Sequence, residues 1–393
     1  MSWSNWSGRH HTNTASLAFV RSEEDACAQV QAARDAGQRL RVAGAGHSHY
    51  PLVPTDGRVL DLSGLSGVVS VDAERQRAWV WAGTPIYALG NALHREGLAL
   101  HNQGDIDRQA IAGAVATGTH GTGLALGNLA TAVTGLRLIN GDGQLETLPN
   151  AGAARISLGA FGVVTQLELA LRPRYRLAEH AYEATLEEVL SQADELAERH
   201  RHFEFFWYPQ NDRAIVKTID ETDEHARYPL AAEGQRRAYS HEVLPNHRPK
   251  RHTEMEYAVP RREAIACMRE LAALVQRDFP QVRWPLEFRT VAQDDVWLSQ
   301  AYEQDVVTLS VHEGIDTDET AYFRASESLF RGVGGRPHWG KVHYLSGNEL
   351  AAIHPRWNDW WAARERFDPR GTFLNDHLAR WRPSTTSVTS STA

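Results

Sequence analysis

Gly113-Ala-Val-Ala-Thr117-Gly118-Thr119-His120-Gly121-Thr122-Gly123 is the stretch on which the reading of this chain turns. Glycines lack a Cβ, so backbone N–H groups can approach a ligand closely, and the threonine hydroxyls add further donors; such a run suits phosphate or the polar edge of a ring. Toward the N-terminus, residues 39–43 read as a strand that runs at once into Gly44, Ala45, Gly46, His47 and Ser48. Alone, that Gly-x-Gly is weak evidence and is better read as a tight turn with a solvent-facing histidine. It is not the dinucleotide fingerprint, because His49 stands where Gly-x-Gly-x-x-Gly needs its third glycine. Toward the C-terminus, Gly159-Ala-Phe-Gly162-Val-Val164 precedes an apolar strand. Three such stretches suggest one extended cofactor lying across several loops.

Around them the first 150 residues alternate short strand-like and helix-like runs. Ser22 and Asp25 open a helix that buries Ala26, Val30 and Ala33 and ends at Gly37. Residues 131–139 and 144–148, joined by Asn140-Gly141-Asp142-Gly143, carry the strongest hairpin signal. After the break at Arg172-Pro173-Arg174 the chain becomes richer in aromatic and charged residues and poorer in glycine, which suggests a domain boundary. Beyond it, helices are expected at 186–200, 261–278 and 319–330, and strands at 202–208, 286–291 and 306–312.

With 393 residues, 42% of them apolar, the chain is long enough for two packed domains. Forty-one basic against 49 acidic side chains leave a net charge of −8, so no electrostatic case exists for nucleic acid or an anionic membrane as partner. Cys27 and Cys267 lie far apart and read as free buried thiols. His338 and His343 lack a third ligand at useful spacing, so no metal is expected. Residues 1–14 contain no apolar signal core, from which a cytoplasmic location is expected.

Glu287 and Arg289 sit at i and i+2 of an expected strand, which points both to one face. The pair fits a surface ion pair, or a proton acceptor beside a cation in a cavity. His312 ends the alternation Thr308, Ser310, His312 and fits either a structural or a site role.

Together, Gly44 to Ser48, the Gly113 to Gly123 run and Gly159 to Leu169 resemble the FAD-binding half of the vanillyl-alcohol-oxidase flavoproteins. Within that family the chain is most similar to the aldonolactone oxidases and the related alditol oxidases. The likeness extends through Trp3-Ser-Asn-Trp6-Ser-Gly8, Gly104-Asp105-Ile106-Asp107, His338-Trp339-Gly340-Lys341 and Gly371-Thr-Phe-Leu-Asn375. It implies an α+β fold: a two-part FAD-binding domain over 1–174, an α+β cap over 175–355 with a mixed or antiparallel sheet, a segment 356–382 returning to the flavin domain, and a disordered tail over 383–393.

The same resemblance implies FAD as cofactor, bonded covalently through His47. Cofactor contacts follow from Gly44, Ala45, Gly46, Ser48, Gly104, Asp105, Gly113, Thr117, Gly118, Thr119, His120, Gly121, Thr122, Gly162, Val164, Lys341 and Asn375, with His120 read as a hydrogen-bonded structural residue. Glu287, Arg289, Lys341 and His312 are the catalytic candidates. Gly104, where family dehydrogenases tend to carry alanine, favours oxygen access. The implied activity is oxidation of a sugar-derived 1,4-lactone, with molecular oxygen as acceptor. A polyol oxidase, a flavoenzyme tailoring a secondary metabolite, a non-catalytic flavin-binding module and a flavin-free carbohydrate binder are the alternatives.

Overall fold

A computed structural model describes residues 1–383, so all of the tail expected to be disordered except Pro383 lies outside the described residues. Local signals near the N-terminus operate as the sequence suggests. Ser22 caps the helix Glu23–Asp35, its hydroxyl accepting from the Asp25 amide at 3.1 Å, and Ala26, Val30 and Ala33 turn inward. Strands Ser16–Phe19, Arg58–Asp61 and Leu40–Ala43 form a small parallel sheet in that spatial order. An antiparallel sheet follows, ordered Leu145–Leu148, Val133–Ile139, Val163–Ala170, Arg77–Trp81, Val68–Asp72. The residues of the Asn140 to Gly143 turn close its first hairpin.

One apolar core joins these two sheets, and the C-terminal end of the chain packs into it through Trp357, Trp360 and Phe373. The Trp360 indole N–H donates to the Ile156 carbonyl at 2.9 Å, and the fully buried Arg364 pairs with Asp368 while donating to the Ala160 carbonyl at 3.2 Å. A buried pair of this kind is costly to break from one side only.

The larger sheet is antiparallel throughout. Its order is Arg237–Tyr239, Arg176–Ala184, Arg213–Glu221, His202–Tyr208, Leu286–Val291, Val306–Gly314, His252–Pro260, Arg336–Pro337. Alternation sends Phe203, Phe205, Trp207 and Phe288 to one face, where they pack beneath the helices Leu186–Arg199 and Arg261–Asp278. Phe205 and Phe288 are direct cross-strand partners with ring centroids 4.9 Å apart, a pairing that adds about 1 kcal/mol beyond its burial. The opposite face therefore receives the residues between them. Two strands of this sheet, Arg176–Ala184 and Arg213–Glu221, carry no readable period in the sequence. His252–Pro260 is buried on both faces, so its alternation Glu254-Met255-Glu256-Tyr257 separates a polar chamber from an apolar core, not water from core.

Both cysteines are free, as expected, but Cys27 is only half-buried. Among the described residues no helix is long and apolar enough to cross a membrane.

Candidate active site

The three glycine-rich stretches converge. A narrow groove is lined by Gly44, Ala45, Gly46, His47, Ser48, Gly113, Thr117, Gly162 and Val164, and it opens into a cavity of about 1110 Å³ that shares His47, Ser48 and Thr117 with it. Gly104, Asp105, Thr119 and His120 line the cavity as well. A long slot of backbone amides and hydroxyls ending in a broad chamber has the shape and donor set for a dinucleotide with a planar ring at one end, so the residues present fit FAD. Burial, then Lys341 and His252 nearby, lower the His47 imidazole to about 4, so the ring is neutral near pH 7.

Above the groove stands the polar face of the large sheet. Cross-strand register places Lys217 beside Glu204, Glu204 beside Arg289, Phe206 beside Glu287, Glu287 beside Ser310, Ser310 beside Glu256, and His312 beside Glu254. Arg289 gathers three carboxylates. Its Nε donates to Glu204 Oε2 at 2.7 Å, its Nη2 lies 3.0 Å from Asp105 Oδ2, and the same Nη2 forms an ion pair with Glu287. Lys217 pairs with Glu204, and Arg248 reaches Asp105 at 3.3 Å.

These contacts push the acids apart. Burial pushes the Glu287 carboxyl up; Arg289 opposes the rise, but Glu204, Asp105 and Glu254 add to it, and the group reaches about 8. Asp105 is half-buried, and desolvation works to raise it, yet Arg289, Lys217 and Arg248 hold it well below the usual carboxylate range. Glu287 Oε1 touches Arg289 without hydrogen-bond geometry and has no other partner, so it is available to a hydroxyl in the cavity.

Two strands along, on His252–Pro260, Glu254 holds the Lys341 ammonium and lies 3.6 Å from both His312 Nε2 and His252 Nε2. The Pro285 carbonyl accepts from His312 Nδ1 at 2.9 Å, which assigns the proton to that nitrogen. Burial lowers His312 to about 4. His120 donates from Nδ1 to the Gly121 carbonyl at 2.8 Å and meets Glu256 Oε1 at 3.0 Å through Nε2; both ring nitrogens are engaged. Glu254 and Glu256 could each sit in a cluster of metal-ligand type, but Lys341 and His120 already face them.

All four catalytic candidates, Glu287, Arg289, Lys341 and His312, line this one cavity. Four cofactor candidates line neither space. A Cβ on Gly118 would meet Gln300 Oε1 at 2.9 Å, and one on Gly121 would meet the Gln103 carbonyl at 2.4 Å; both glycines serve chain packing. The Thr122 hydroxyl donates to the Phe203 carbonyl and accepts from the Thr290 amide at 3.1 Å, tying the loop to the large sheet. Asn375 donates to the carbonyls of Pro51 (2.9 Å) and Pro54 (2.9 Å) and caps a helix turn by accepting from the Leu378 amide, leaving no side-chain donor for a ligand. Glu204, Lys217, Glu254 and Glu256 are site residues that sequence reading missed. The alternation Glu254-Met255-Glu256 repeats the Glu287-Phe288-Arg289 pattern and was the available signal.

Fold, groove and charged chamber together define an FAD-dependent oxidoreductase, and a model of the FAD binding domain matches residues 14–149. A model described as D-arabinono-1,4-lactone oxidase matches residues 167–237 and 228–381, and the chain belongs to that family. It is 34% identical to L-gulono-1,4-lactone dehydrogenase of Mycobacterium tuberculosis, over 96% of this chain and 98% of the relative. It is 30% identical to alditol oxidase of a Streptomyces species, over 95% of this chain and 97% of the relative. The structure of cholesterol oxidase from B. sterolicum superposes with a TM-score of 0.87 at 17% identity, covering 97% of this chain and 96% of that one, a likeness of fold.

Proposed function

We propose that this chain oxidises a sugar-derived 1,4-lactone (gulono-, galactono- or arabinono-) at its C2 hydroxyl, with molecular oxygen as acceptor and FAD attached through His47. The observation that carries this reading is the convergence of Glu287, Arg289 and Lys341 on one cavity beside His47. Bound FAD supplies the two-electron acceptor that takes the C2 hydrogen and passes its electrons to oxygen.

The Glu287 carboxylate accepts the C2 hydroxyl proton, a task suited to a group whose acidity lies near working pH. Arg289 and Lys341 orient the ring oxygens and hold the negative charge that develops across the chamber. Neutral His47 has a lone pair free for attachment. Glu287 and Arg289 are themselves buried, so their charges act with little screening at short range. In domain terms, residues 1–174 and 356–382 form the cofactor lobe in this reading and 175–355 the substrate cap.

A polyol oxidase is the second reading, favoured by the alditol oxidase similarity over nearly the whole chain. Purified protein is offered the three lactones, xylitol and sorbitol, with peroxide release and reduction of an artificial acceptor both recorded. Turnover of a lactone with peroxide is expected. Turnover of polyols alone selects the second reading, and acceptor reduction without peroxide removes oxygen from the first.

A further inference from the structure

The N-terminal segment lies directly against the loop that carries His47. Strands Ser2–Ser4 and His11–Asn13 pair as a hairpin. From the turn between them three donors reach three carbonyls of the loop: the Trp6 amide to Gly46 (2.8 Å), Asn5 Nδ2 to Ser48 (2.9 Å) and His10 Nε2 to His49 (2.9 Å). Asn5 is itself fixed, since its Oδ1 accepts from the His10 amide at 3.1 Å. The approach is close enough that a Cβ on Gly46, whose φ is +70°, would lie 3.3 Å from Asn5 Cα.

The Trp6 indole stacks on the His47 imidazole with centroids 5.5 Å apart and planes 28° apart. His49 and His252 pack edge-on against that indole, at 6.3 Å and 5.5 Å, and set its own orientation. Burial and neighbouring charge act on His47, and no hydrogen bond does. The last torsion of a histidine is broad when nothing holds the ring. Stacking is therefore what sets the plane of the His47 ring.

We propose that the hairpin over residues 2–13 is a clamp for cofactor attachment, with Trp6 the positioning residue that sets the plane of the His47 imidazole. This rests on His47 being the attachment residue. In the step, an imidazole nitrogen bonds to the flavin 8α carbon and one 8α C–H bond breaks. That proton and the imidazole N–H proton leave, and the two electrons pass through the ring to dioxygen, giving hydrogen peroxide. A misaligned ring slows such a step because a near-attack geometry must be found anew each time.

The test uses full-length apoprotein from riboflavin-starved cells mixed with FAD, with samples acid-precipitated over time and the mass of the His47 peptide read. Wild type is expected to acquire the flavin mass in full. Trp6→Leu, which keeps apolar bulk and removes the ring, is expected to acquire it about tenfold to a hundredfold more slowly. Its noncovalent FAD affinity and its melting temperature stay near wild type, and Trp6→Phe restores most of the rate. A Trp6→Leu protein that attaches flavin at the wild-type rate overturns the clamp, as does a Phe variant no faster than Leu. Should Trp6→Leu not fold, Asn5→Ala, which frees the Ser48 carbonyl, takes its place with the same slowing expected and the same refuting result. A wild-type chain that never gains the mass overturns the attachment reading itself, and is thereby told apart from failure of the clamp.

Discussion

Replacing Asp105 by Asn tests how the buried charges divide their work. Asp105 and Glu287 share one nitrogen of Arg289, with Asp105 at 3.0 Å, and Asp105 is among the groups that raise Glu287 to about 8. Two unit negative charges about 5 Å apart repel by roughly 3 kcal/mol at an effective dielectric constant of about 20. At about 1.4 kcal/mol per pH unit, full loss of that repulsion is worth about 2 units, and relaxation of Arg289 and Arg248 leaves an expected shift of about 1 to 2. The sign is downward, because removing a negative neighbour makes ionisation of Glu287 easier.

The assay is anaerobic flavin reduction by a saturating lactone as a function of pH. In the wild type the rate climbs with pH through the ionisation of Glu287 near 8 and then levels. In Asp105→Asn the same climb occurs at lower pH, so the variant lies closer to its own plateau in mildly acidic buffer. Glu287→Gln, run alongside, abolishes the climb and lowers the plateau. A climb that stays in place in folded Asp105→Asn refutes the coupling, and one that persists in Glu287→Gln removes Glu287 as the titrating base.

Lys341→Met leaves Glu254 buried without its partner; flavin reduction is expected to fall about a hundredfold and stability by about 3 kcal/mol, read by stopped flow and urea unfolding. Gly104→Ala brings a Cβ to 2.9 Å from the His120 carbonyl and 3.3 Å from Thr119 Cγ2. The loop lining the cavity must shift, and reoxidation by oxygen is expected to slow about tenfold with the reductive half unaltered, as successive stopped-flow experiments would record. Asn375→Ala removes a helix cap and three carbonyl contacts, to Pro51, Leu52 and Pro54; a loss of about 2 to 3 kcal/mol in urea unfolding is expected, with the visible spectrum and flavin content unchanged. A loss of flavin with no loss of stability would return Asn375 to the cofactor.

What the sequence alone determined is what short-range physics encodes. Ser22 announces its helix because a cap is satisfied three residues away, and Asn140 to Gly143 announces a hairpin because only certain residues make that turn. Glu287 and Arg289 share a face because strand geometry repeats every second residue. The Gly113 to Gly123 run points to a cofactor because bare backbone is chemically distinctive wherever it falls.

Tertiary structure alone decided which charges meet. Nothing local links Arg289 to Asp105 and Glu204, which lie 184 and 85 residues away in the chain. Nor does spacing reveal that Glu254 lies under Lys341, or that Asn375 is consumed by loop carbonyls beside Pro51 and Pro54. The same is true of strand His252–Pro260, whose two faces are buried against unlike surroundings, an apolar core on one side and a polar chamber on the other. Such a strand does alternate, at Glu254-Met255-Glu256-Tyr257, but nothing local says that its polar side faces an enclosed chamber and not bulk water. Burial, which sets the acidity of Glu287, is a property of what the rest of the chain folds over it.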